Sequence, residues 1–155
     1  MASNRHLGRI VALQTLYEYV FRVECNDPGV ELEELLARNI ARYSETIDDK
    51  AFIASLVEGV ITLRADLDAE LQPLAPEWPL SQIARVDHIV LWVGLYELKH
   101  NADVPHKVVI NEAVELAKAF GSDSSSKFVN GVLGSAYRAL HPEETPKETK
   151  EAPTA

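Results

Sequence analysis

Apolar residues recur every three or four positions along most of the chain, which is the spacing of one face of an α-helix. The first such segment begins near Leu7 and ends before Asn26-Asp27-Pro28-Gly29, a sequence typical of a loop. No segment shows the sustained alternation that is typical of a half-buried strand. The pattern therefore predicts an all-α bundle of about six to seven helices.

Residues that suit helix ends divide this pattern into elements. The segment 46–49 offers an N-cap for a long helix, and prolines at 73, 76 and 79 predict a rigid connector after it. Residues 89–96 are apolar nearly all round, so their helix is predicted to be central, and Gly94 is expected to allow a close helix–helix approach. Gly121 is predicted to end the next helix as a C-cap, and serines at 124–126 are candidate N-caps for the last one.

Composition limits the class of protein. The chain has 155 residues, of which 46% are hydrophobic, so it is expected to form one soluble domain. Its longest apolar run is far shorter than the roughly 20 residues that span a bilayer, and no secretory signal is visible, so we expect a cytoplasmic protein without a membrane contact. Residues 141–155 contain no large apolar side chain. They are predicted to form a disordered acidic tail after a folded domain of residues 1–140.

The charge is unevenly distributed. The net charge is −9, and residues 18–98 alone carry 16 acidic against 6 basic side chains. The average electrostatic field of a protein this acidic repels nucleic acid. Residues 1–17, however, carry two arginines and no acid. A local positive patch is expected if the first and last helices meet; ordinary scatter of surface charge is the alternative.

Signatures of catalysis are absent from the sequence. It has no phosphate-binding loop, dinucleotide fingerprint or zinc-protease motif, and its five histidines do not have metal-ligand spacing. The single cysteine, Cys25, supports neither a disulfide nor a zinc ribbon. We therefore predict a protein that is not an enzyme and has no metal or cofactor.

Residues 104–134, VPHKVVINEAVELAKAFGSDSSSKFVNGVLG, carry a specific motif. This segment closely resembles the C-terminal signature of the NusB family of transcription antitermination factors. Residues 9–17, RIVALQTLY, and 95–99, LYELK, resemble the first and central helices of that family. The resemblance covers about residues 5–140 and implies two packed helical subdomains.

The resemblance also implies a function. NusB proteins bind boxA single-stranded RNA of ribosomal RNA leader transcripts together with the small-subunit ribosomal protein NusE, within an antitermination complex on RNA polymerase. A related domain is fused to an rRNA methyltransferase, so a helper domain for rRNA modification is one alternative. A homodimeric protein–protein interaction module is the other.

Single-stranded RNA is bound by cations for its phosphates and flat side chains for its bases. Such residues, at positions matched by the resemblance, lie at the start of the first helix and around the serine-rich turn. Phe120 continues a predicted buried stripe, so a core position is the stronger interpretation for it, whereas Phe128 lies at the edge of its stripe. The predicted RNA-binding residues are Arg5, His6, Arg9, Gln14, Lys118, Phe120, Gly121, Ser124, Lys127 and Phe128.

The resemblance places Tyr17 and Asp87 on the surface that faces the ribosomal protein. The acidic middle of the chain suits a basic partner. An exposed acid near a helix start is the alternative interpretation of Asp87. Many relatives carry a run of arginines before the first helix, but this chain has only Arg5 and Arg9 there, with His6 between them. We therefore expect weaker intrinsic RNA affinity, with further cations supplied by the partner.

Overall fold

A computed structural model of the chain describes residues 2–144, with side chains from 5 to 143. This part of the chain contains helices and no strand, which confirms the predicted all-α fold. The α-helices are α1 (Ala2–Glu24), α2 (Leu32–Arg42), α3 (Lys50–Leu71), α4 (Arg85–His100), α5 (His106–Phe120) and α6 (Ser125–Leu140), with 3-10 turns at Gln72–Leu74, Leu80–Gln82 and Pro142–Glu144.

The helices form two subdomains around one core. Helices α1, α2 and α3 pack against one another, and α4, α5 and α6 do the same. Helix α4 also contacts α1 and α3, and its residues 89–95 are all buried. The predictions of two packed subdomains and a central helix are therefore confirmed.

Two glycines allow close approaches between helices. A Cβ at Gly94 would lie 2.5 Å from Cδ1 of Leu133, so α4 and α6 approach as closely as predicted. Gly121 is the C-cap residue of α5, as predicted, and its N–H donates to the carbonyl of Ala117 from an extended backbone conformation with φ of −100°. Glycine is required there for space, because a Cβ would lie 2.5 Å from Oγ of Ser125 in the tight α5–α6 turn.

Residues 142–144 form a 3-10 turn after α6, and residues 145–155, most of the predicted disordered tail, lie outside the described residues, as does Met1. Within the described range, none of the helices combines the length and apolar character needed to cross a bilayer.

Candidate nucleic-acid interface

Arg9 is not available to bind phosphate, contrary to the prediction. Its side chain is only 3% exposed, and it donates from Nε and Nη2 to the two carboxylate oxygens of Glu97 on α4, at 2.7 and 2.8 Å. Burial by itself lowers the pKa of Arg9, but the hydrogen bonds and charge of Glu97, together with the charge of Glu112, outweigh burial and raise it. Arg9 therefore anchors α1 to α4.

The other basic side chains at the start of α1 also face acids. Arg5 lies 3.5 Å from Oδ2 of Asp49 and above the ring of Phe52, and Nδ1 of His6 lies 2.7 Å from Oε1 of Glu112. Both side chains are partly exposed. The start of α1 thus presents paired charges, which reduces the positive potential that the sequence suggested.

The α5–α6 turn carries the second predicted cluster. Lys118, Ser124 and Lys127 are exposed, and the ring of Phe128 is half-buried against the core. Phe120 is 42% exposed, so its interpretation as a core aromatic is wrong. It is the last residue of α5 and extends past the buried stripe of that helix.

Phe120 connects this turn to α1. A shallow cavity of about 290 Å³ is lined by Gln14 and Tyr17 of α1, Val86 of α4 and Phe120. Predicted residues that are far apart in sequence therefore share one surface. Tyr17 and its neighbour Phe21 both have exposed rings. The guanidinium carbon of Arg85 lies over these rings, 5.5 Å from the ring centroid of Tyr17 and 5.3 Å from that of Phe21.

Asp87 is buried rather than an exposed acid, so that alternative interpretation is wrong. The residue is 8% exposed, in the first turn of α4, where the helix dipole favours a negative charge. Its Oδ1 has no hydrogen-bond partner among the described residues. Asp87 lines a cavity of about 460 Å³ together with Ser124, Lys127 and Phe128. The predicted partner-facing and RNA-facing residues thus meet in one cavity.

The sequence did not indicate five of the residues that line this cavity, which are Trp78, Gln82, Ile83, Ala84 and Ser122. The indole of Trp78 is 55% exposed. A tryptophan between two prolines in a predicted connector was the available signal, but periodicity does not report which loop side chains face a cavity. No cluster of side chains suited to a metal ion occurs among the described residues.

The NusB family model matches residues 6–138. The transcription antitermination protein NusB of Dehalococcoides mccartyi strain 195 is 37% identical over 151 residues, covering 97% of this chain and all of that protein. The protein of the same name from Chloroflexus aggregans is 43% identical over 136 residues, covering 86% of this chain and 87% of its own.

Solved structures share the fold. Crystalline NusB of T. maritima has a TM-score of 0.76 at 31% identity, with 95% of this chain and 96% of that chain covered. NusB in a crystal structure of antitermination factors NusB and NusE in complex with dsRNA has a TM-score of 0.76 at 23% identity, covering 90% of this chain and 99% of that one. The match to the family model over nearly the whole described chain, together with these relatives, makes this chain a member of the NusB family.

Proposed function

We propose that this protein is a transcription antitermination factor that binds boxA-type single-stranded RNA of ribosomal RNA leaders together with the ribosomal protein NusE, in a complex on RNA polymerase. The observation that carries the proposal is the cavity in which Lys127 and Phe128 lie beside Asp87, whose Oδ1 has no hydrogen-bond partner among the described residues. The curated relatives are named as antitermination proteins, and a structurally similar NusB was crystallised with NusE and RNA.

The surface around the α5–α6 turn combines aromatic rings and cations, the two kinds of side chain that bind single-stranded RNA. Phe120 and Phe128 offer aromatic surfaces on either side of the α5–α6 turn, and Lys118 and Lys127 supply exposed cations. Lys127 has no ion-pair partner among the described side chains, whereas Lys118 lies 3.8 Å from Glu115. Few unpaired cations imply modest affinity for RNA alone, which a basic partner would increase.

Asp87 suits a cation supplied by the protein partner. A buried carboxylate oxygen without a hydrogen bond costs about 1–3 kcal/mol, which a charged donor would recover on binding. The exposed rings of Tyr17 and Phe21 lie on α1 beneath Arg85, which is two residues before Asp87 on α4. Aromatic residues of this kind are typical anchors of protein interfaces.

The test is fluorescence anisotropy with boxA RNA at several salt concentrations, with and without NusE. We expect binding that is tighter with NusE and is lost with a scrambled RNA. Lys127→Gln should make the slope of the logarithm of the RNA-binding constant against the logarithm of salt concentration shallower by about 0.7, the value for one phosphate contact on a single strand.

Lys107→Gln is the matched control for this slope. Lys107 is an exposed lysine in the first turn of α5, at the end of that helix opposite Phe120. An equal change of slope in both variants would remove Lys127 from the phosphate contacts. If neither RNA nor NusE binds and light scattering shows a dimer, the aromatic patch of Tyr17, Phe21 and Phe120 serves a second copy instead.

Asp87→Asn should weaken association with NusE about tenfold or more, because the variant keeps the shape but loses a charge-assisted hydrogen bond. Isothermal titration calorimetry measures this affinity directly. Asp66→Asn, at an exposed position on α3, is the control for the loss of one negative charge. Equal affinities for the Asp87 variant and the unmodified protein would exclude Asp87 from the interface.

A further inference from the structure

Trp78 has the largest exposed fraction of any large apolar side chain in the described part of the chain, at 55%. It lies in the connector between α3 and α4, between Pro76 and Pro79. An indole that remains in water forgoes most of the burial free energy that such a side chain provides. The exposure is therefore a feature that folding of this chain does not explain.

The connector holds Trp78 in a defined position. The backbone N–H of Trp78 donates to the carbonyl of Ala75 at 3.0 Å. The side-chain amide of Gln72 donates to the carbonyl oxygens of Ala75 and Trp78, each at 3.2 Å, and accepts from the N–H of Leu80 at 3.0 Å. This bracing means that a ligand stacking on the indole does not have to order the loop first.

Trp78 lies across a groove from α6. Two cavities, of about 460 and 310 Å³, are both lined by Trp78, Lys127 and Phe128. We call these two cavities, which share those three lining residues, the Trp78 groove. It contains two aromatic side chains and a lysine without an ion-pair partner among the described residues, which are the elements of a site for single-stranded nucleic acid.

Gly131 forms bare backbone in the wall of the groove. It lies one helical turn after Lys127 on α6, and a Cβ built on it meets no atom within 4 Å. Glycine inside a helix is less favourable than alanine, and no neighbouring helix packs closely enough against Gly131 to require the missing side chain. A ligand that approaches the helix backbone closely at this point would require it.

We propose that Trp78 stacks a second base of the bound RNA strand, next to the base on Phe128, with Lys127 contacting the phosphate between them. This inference rests on the proposed RNA-binding function and extends it to a residue outside the family signature segment. Glu77 lines the smaller cavity and Asp87 the larger one, and both carboxylates repel phosphate, so the bases occupy the two cavities and the phosphate lies at the exposed Lys127.

The test uses tryptophan fluorescence, since the chain has only two tryptophans and Trp92 is buried. In a Trp92→Phe background, boxA RNA should quench the emission of Trp78 and protect it from acrylamide. Trp78→Ala should bind the RNA roughly tenfold more weakly by anisotropy, and Trp78→Phe should retain most of the affinity. Gly131→Ala should raise the thermal midpoint while weakening RNA binding, a combination that a merely structural role does not produce.

The two readouts separate the inference from the function on which it rests. RNA binding by anisotropy without quenching, and with unchanged affinity of Trp78→Ala, overturns the role of Trp78 and leaves the proposed function intact. If the unmodified protein binds no RNA, either alone or with NusE, both the role of Trp78 and the proposed function are overturned. Quenching by NusE alone, with none on addition of RNA, assigns the groove to the protein partner and overturns the inference.

Discussion

Glu97→Ala is expected to lower the free energy of unfolding by about 3–5 kcal/mol, the range for removing one partner of a buried ion pair. The guanidinium of Arg9 would remain inside the protein without the two hydrogen bonds that now satisfy it. Denaturant unfolding monitored by circular dichroism measures the loss. Glu115→Ala breaks an exposed pair with Lys118 and should cost less than about 1 kcal/mol.

A double variant, Arg9→Met with Glu97→Leu, tests the role assigned to Arg9. Replacing both charges by apolar side chains of similar size should restore much of the stability, since neither charge is then buried alone. RNA affinity should also be retained, because Arg9 is buried and does not reach the surface. If the double variant is stable but loses RNA affinity, Arg9 contacts RNA after all. If Glu97→Ala costs no more than Glu115→Ala, the pair does not anchor α1.

Phe128→Leu is expected to weaken binding of boxA RNA by about 1–3 kcal/mol, the contribution of one base stacked on an aromatic ring. Leucine keeps the apolar contacts that the half-buried ring makes with the core, so the fold should be preserved. Phe128→Asp adds charge repulsion and should abolish binding. Anisotropy gives the affinities, and circular dichroism verifies that each variant is folded.

Phe21→Leu is the matched control for Phe128. Its ring is exposed on α1 and lies beneath Arg85, and Phe21 lines neither of the two cavities that contain Phe128. It should leave the affinity for RNA alone unchanged. Normal RNA affinity in folded Phe128→Leu and Phe128→Asp would exclude a stacking role for Phe128 and leave Phe120 as the aromatic of that turn.

The sequence misjudges the burial of two candidate residues for one reason. Phe120 has the helical spacing of a buried residue, yet it is exposed because α5 ends there. Asp87 has the composition of a surface acid near a helix start, yet it is buried where the connector and α6 enclose the first turn of α4. Periodicity reports which face of a helix is apolar, but it does not report which neighbours cover each end.

By itself, the sequence determined the all-α class, the central position of α4, the close approach at Gly94 and the signature segment, because each depends on local spacing along one helix or on residue types in order. The tertiary structure alone decided which charges remain available. It pairs Arg9 with Glu97 across 88 positions of sequence, leaves Oδ1 of Asp87 without a hydrogen-bond partner among the described residues, and brings Trp78 and Phe128 to one cavity. These outcomes depend on distances between helices, because hydrogen bonds, close ion pairs and ring contacts form only when packing brings the two groups within a few ångströms.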